Sequence, residues 1–216
     1  MDEKRYEIYR PAGAEILVKR SSFIGEAFPI KSDNEANDFI MQAKKKFFDA
    51  KHHCFAYRLG NDENGIRLSD DKEPSGTGGR PILQVIQQNG MVNTLIIVTR
   101  YFGGTLLGTG GLSRAYRDAA KLALDNSVKF ERKEGVKTVI KIPYNLYGKI
   151  ENLINEKEAI ILSTEYKEFV TVEFLTGEKN AFALMKELSE ATAGSIDVTA
   201  GIRLSYGTVE GRVIWL

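Results

Sequence analysis

Ile160 to Leu175 reads IILSTEYKEFVTVEFL, two apolar runs rich in β-branched residues set back to back, Ile160–Tyr166 and Phe169–Leu175. Runs of this length and composition predict strands. Amphipathic spacing predicts a helix on either side, Leu146 to Lys157 before the pair and Asn180 to Ala193 after it. Further out lie two more apolar runs, Val136 to Ile142 and Ile196 to Leu204. The order is β-α-β-β-α-β, which predicts a four-stranded antiparallel sheet with two helices on one face, the ferredoxin-like split βαβ arrangement. RNA-binding modules share this fold, but these strands lack the aromatic platform of an RRM, so the fold does not by itself establish RNA binding.

Upstream, Lys129 to Gly135, KFERKEG, is charged and aperiodic and reads as a domain linker. The chain is therefore expected to be α+β with two domains, residues 1–130 and 136–208. In the first, Ala14 to Arg20 and Ser22 to Ile30 read as extended segments. A helix capped by Ser32 or Asp33 follows, with Ala36, Phe39, Ile40, Ala43 and Phe47 at helical spacing. His52 to Leu59 reads as a strand, Asn61 to Gly65 as a turn and Ser69 to Arg80 as a loop. A short helix is expected from Pro81 to about Asn89-Gly90.

Thr94 to Tyr116, TLIIVTRYFGGTLLGTGGLSRAY, carries the strongest functional signal: an apolar strand, a loop with five glycines, then an alanine-rich helix from about Gly111 to Asn126. Gly103, Gly104, Gly108, Gly110 and Gly111 let a ligand approach the main chain, and the helix start offers unpaired N–H groups at the positive end of its dipole. From Arg80 through Arg117 the chain has four arginines and no Asp, Glu or Lys. Arg80, Arg100, Arg114 and Arg117, with Gly103, Gly104, Thr105, Gly108, Thr109, Gly110 and Gly111, are the candidate phosphate contacts. Such a turn also serves simply to pack a helix closely on a sheet. No Gly-Lys-Ser/Thr follows, and Ser113 stands where the last glycine of GxGxxG would fall, so neither the Walker A nor the dinucleotide motif is present.

The second candidate is the acidic loop Asp70, Asp71, Glu73, Pro74, Ser75, Gly76 and Thr77. It reads two ways: carboxylates holding Mg²⁺ near a phosphate, or an ordered turn whose carboxylates accept backbone N–H groups and cap the next helix. His52-His53-Cys54 is a weak metal or nucleophile candidate, because successive strand residues face opposite sides and no CxxC or HxxxH spacing supports zinc. No general base is identifiable beside the acidic loop. Lys44, Lys45 and Lys46 sit at a helix end and suit its dipole.

Hydrophobic residues make up 43% and charged residues 27% of the 216, an ordinary globular balance, and the net charge of +1 excludes a histone-like polycation while permitting a local basic face. A single cysteine and a charged amino terminus, MDEKRYEIYR, point to a reducing compartment, and no run approaches a membrane span, so a cytoplasmic protein is expected.

DDKEPSGTGGRPIL from Asp70 and VTRYFGGTLLGTGGLSRAY from Val98, with KRSSFIGEAFPI from Lys19 and AKHHCFAYRLG from Ala50, resemble the signature of the IMPACT family, whose bacterial members are the YigZ-like proteins. The resemblance implies a first domain of the ribosomal protein S5 domain 2 type and a second similar to domain V of elongation factor G. It implies contact with RNA or the ribosome, and a role in translation control with a protein partner, as eukaryotic members bind a ribosome-associated activator of an initiation-factor kinase. No catalytic residues are established for that family, and no cofactor or metal is expected here. Lys72 stands where a glycine is expected, and Gly79 and Ser113 where alanine and an aliphatic residue are common. The open alternatives are a nucleotide- or phosphometabolite-binding enzyme using the same loop with the acidic residues as a metal site, and a protein-protein adaptor using the apolar surface near Tyr101 and Phe102.

Overall fold

Thr94 to Tyr101 is apolar without alternation because it is a central strand covered on both faces; seven of its eight residues are buried. The structure, a computed structural model, describes residues 4–216. Its elements are β1 (Arg5–Arg10), β2 (Ala12–Val18), β3 (Ser21–Pro29), α1 (Asp33–Lys46), β4 (His52–Arg58), β5 (Ile66–Ser69), α2 (Gly79–Gln88), β6 (Thr94–Tyr101), α3 (Gly108–Asn126), β7 (Val128–Ile142), α4 (Tyr147–Glu156), β8 (Ile160–Tyr166), β9 (Val170–Gly177), α5 (Glu178–Ala191), β10 (Asp197–Val209) and β11 (Arg212–Trp215). The chain divides into an amino-terminal unit ending at Glu131 and a carboxyl-terminal unit beginning at Arg132.

In the amino-terminal unit five antiparallel strands run in the order β2-β3-β6-β4-β5. Period-two alternation sends Ile96 and Val98 to one face, where α2 and α3 bring Ile82, Ile86, Leu112, Ala119 and Ala123. Leu95 and Ile97 face the other way, onto Ala36, Ile40 and Ala43 of α1. Ser32 caps α1 by accepting from the Glu35 amide, as its sequence predicts. The β2–β3 hairpin closes through Lys19 and Arg20, both left-handed at φ 46° and 69°, with Val18 paired to Ser21. That is the backbone of a two-residue turn that ordinarily selects Asn-Gly.

The carboxyl-terminal unit has the predicted β-α-β-β-α-β order in β7-α4-β8-β9-α5-β10, with its antiparallel strands arranged β10-β7-β9-β8. Ile140, Ile142, Val170, Val172 and Phe174 pack under Ile150, Ile154, Leu184 and Leu188 of the two helices. The fold is α+β and ferredoxin-like in this half. An additional strand, β11, pairs with the outer edge of β10.

One expectation is corrected. Lys129 to Gly135 is strand, not linker: β7 begins at Val128. Its charged residues are tolerated because they are satisfied across the ladder, where Arg132 donates to Ser205 Oγ at 2.8 Å and Ser205 donates to Glu134 at 2.7 Å. A partner some 70 positions away leaves no local trace in the sequence.

Candidate phosphate-binding loop

The loop after β6 is set by two glycines in the left-handed region, Gly104 at φ 80° and Gly108 at φ 70°. They turn the chain from strand to helix within residues 102–107 at no steric cost. Helix α3 starts at Gly108, three residues ahead of the expected Gly111, so Thr109, Gly110 and Gly111 form its first turn. Among the described residues no side chain caps that turn, and Gly104, Thr105, Gly108, Thr109 and Gly110 are exposed. The first N–H groups of a 19-residue helix are thus presented to solvent. Arg114 and Arg117, one turn apart on the same helix face, are both exposed; Arg114 Nε donates to the Gly110 carbonyl at 3.3 Å. Arg80 is exposed in the first turn of α2.

The other end of the loop is pinned. The Gly103 amide donates to Ser21 Oγ at 3.0 Å, and a Cβ at Gly103 would overlap the backbone of Arg20. The β2–β3 turn therefore lies directly against the glycine-rich loop.

Arg100, expected among the phosphate contacts, is placed elsewhere. Its side chain is 7% exposed and its Nη1 donates to Glu73 Oε1 at 2.6 Å. Phe23 and Phe102 rings lie 5.4 and 5.5 Å from the guanidinium. Tyr116 from α3 donates its hydroxyl to the same carboxylate oxygen at 2.8 Å, and His52 Nε2 stands 3.9 Å away. Glu73 thereby joins the two signature segments, the acidic loop and the glycine-rich unit.

The acidic loop is an ordered turn. Asp70 accepts from the amides of Gly76 at 2.8 Å and of Gly78 and Gly79 at 2.9 Å each, which caps α2. Burial pushes the Asp70 carboxyl up, and the three amide donors together hold it below its ordinary value. Asp71 accepts from the His53 amide at 2.8 Å, and its carbonyl meets His52 Nδ1 at 2.9 Å. Thr77 donates to the Pro74 carbonyl at 2.6 Å, Gly76 is left-handed at φ 78°, and Pro74 and Ser75 are exposed. Lys72 takes φ 70°, the conformation for which a glycine is suited. The three carboxylates turn toward three different partners, and no cluster of His, Cys, Asp and Glu able to hold a metal ion occurs among the described residues. The Mg²⁺ reading of this loop lacks the convergence it requires.

His52, His53 and Cys54 likewise serve the turn. Cys54 is fully buried and donates to the Asp70 carbonyl at 3.0 Å, and burial pushes its thiol up to about 12. The sequence reading missed the Glu73–Arg100–Tyr116 cluster, which no spacing announces. Lys19 and Arg20, read as the end of an extended segment, instead form the β2–β3 turn, with Arg20 against Gly103.

Comparison with known proteins gives matches along most of the chain. Residues 19–124 match the Impact N-terminal domain, and residues 140–195 match the Domain of unknown function (DUF1949). The IMPACT family member YvyE of Bacillus subtilis is 36% identical over 89% of this chain and 88% of its own. The IMPACT family member YigZ of Escherichia coli is 29% identical over 85% and 91%. Protein IMPACT of Rattus norvegicus is 25% identical over 58% of this chain and 41% of its own. A crystal structure described as that of a hypothetical protein superimposes with a TM-score of 0.58 at 27% identity, covering 93% of this chain and 98% of that one.

Proposed function

This chain belongs to the IMPACT family, and from that membership and the form of the loop after β6 we propose that it binds RNA or the ribosome through phosphates and acts in translation control. The observation that carries the reading is the uncapped, solvent-facing first turn of α3 with Arg114 and Arg117 beside it, in a stretch from Arg80 to Arg117 without a single acidic residue. Such a helix start attracts anions, and the exposed guanidinium groups suit phosphate oxygens. Arg80, Arg114, Arg117 and the amides of Gly104 to Gly111 make the contacts. Arg100 supports them from beneath through Glu73. A nucleotide enzyme with an acidic metal site fits less well, since the carboxylates of Asp70, Asp71 and Glu73 are already engaged. The site is assigned to a protein working in the cytoplasm.

The test is fluorescence anisotropy of labelled ribosomal RNA fragments, with the intact chain and with Arg114→Ala, from about 50 to 200 mM salt. Binding is expected to weaken steeply with salt, and the variant to lower the slope by roughly 0.7 to 0.9. Salt-independent binding overturns the reading. Capture of a protein partner that survives nuclease treatment would instead favour the adaptor role, for which the exposed Phe102 and Leu106 provide apolar surface.

A further inference from the structure

Lys19 and Arg20 form the tip of the β2–β3 hairpin, and both are exposed. Each holds a left-handed backbone, which disfavours any residue with a Cβ. Among the described residues neither makes an ion pair, and both charges face solvent. The turn does not project freely. Gly103 sits against the Arg20 backbone and bonds to Ser21, and the β3–β6 ladder, with Ser22 opposite Tyr101, runs directly into this contact. The hairpin tip and residues 102–104 are therefore neighbours on one rigid edge.

The neighbouring residue Phe102 is 54% exposed, so its ring is open to solvent. It directly follows the last residue of β6, and the Arg100 guanidinium lies 5.5 Å from its ring. Two unpaired cations next to a fixed, exposed aromatic ring match one ligand chemistry: a polyanionic strand whose bases are free to stack. A duplex hides its base faces and would use only the cations.

We infer that Lys19, Arg20 and Phe102 form a contact for unpaired RNA, the cations taking adjacent phosphates and the ring taking a base. The inference rests on the RNA reading above and narrows it from RNA in general to single strands. The strained cationic turn is then part of the binding surface, where Asn-Gly would make an easier hairpin and a poorer ligand for phosphate.

The test uses the full chain and two labelled RNAs of about 12 nucleotides, one single-stranded oligo-uridine and one duplex. Lys19→Asn combined with Arg20→Gly removes both charges while giving the turn its preferred residues, so folding is not put at risk. Phe102→Leu removes the ring. The single strand is expected to bind more tightly than the duplex, the turn variant to lower its salt slope by about 1.4, and Phe102→Leu to weaken it by at least about fivefold with the slope unchanged. If Arg114→Ala weakens binding but the turn variant and Phe102→Leu do not, or if the duplex binds as well as the single strand, this contact is wrong while the general RNA reading stands. If neither RNA binds the unaltered chain, both fall.

Discussion

Arg100 and Glu73, 27 positions apart, share a hydrogen bond of 2.6 Å between side chains 7% and 3% exposed, and Tyr116 completes the carboxylate's shell. Removing one partner strands the other's charge in the interior. Arg100→Ala is expected to lose about 3 to 5 kcal/mol of stability. Arg100→Met combined with Glu73→Gln leaves no buried charge and keeps an acceptor for Tyr116, so it should recover most of that loss. Urea unfolding midpoints of the three proteins check this; equal midpoints for the single and double variants would refute it.

Asp70 gives a pH signature. Its carboxyl is held below its ordinary value in the folded chain, so its contribution is complete above the unfolded-state pKa and is lost as pH falls through the folded one. Asp70→Asn should lower stability by about 1 kcal/mol at neutral pH, with the gap narrowing in strong acid. Unfolding curves at about pH 7 and pH 2 measure it. A gap that stays constant would mean that the three amides do not favour the charged form.

Cys54 should be inert. Its thiol is fully buried, pushed up to about 12 and tied to the Asp70 carbonyl, whereas thiolate is the reactive species. Ellman's reagent at neutral pH is expected to label it only in denaturant. Rapid labelling of the native chain would show that the acidic loop opens.

Two glycines of the same motif should respond oppositely to alanine. At Gly103 the new Cβ overlaps the Arg20 backbone, and a loss of about 1 to 3 kcal/mol is expected. At Gly110 a Cβ meets nothing within 4 Å in a helical first turn, so alanine should stabilise by about 0.5 to 1 kcal/mol. Thermal melts of both variants separate the packed end of the loop from the open one.

What could be read in advance followed what is local. Ile140 and Ile142, Val170, Val172 and Phe174, and Leu184 and Leu188 recur at the periods of strand and helix, so the ferredoxin-like half is legible in the sequence. β1 was not, because its one deeply buried hydrophobic, Ile8, stands among charged neighbours. β5 and β11 are four residues each, too short for alternation to register. Helix α3 began early because Gly108, Gly110 and Gly111 read as loop on propensity alone, and packing of Leu112, Ala115 and Tyr116 overrides that. Of the candidate contacts, Arg114 and Arg117 lie exposed on a helix that the sequence predicts. Arg100 did not, since its carboxylate lies on another loop.

The Glu73 cluster also has a temporal meaning. The acidic loop is complete as a stretch of chain once residue 79 has been made, yet it is fastened by Arg100 and, 43 positions from Glu73, by Tyr116. A growing chain that has not yet delivered β6 holds Glu73 without either partner, and one that lacks only α3 holds it without Tyr116. The carboxylate that joins the two signature segments is therefore fully satisfied only in a chain made through Tyr116.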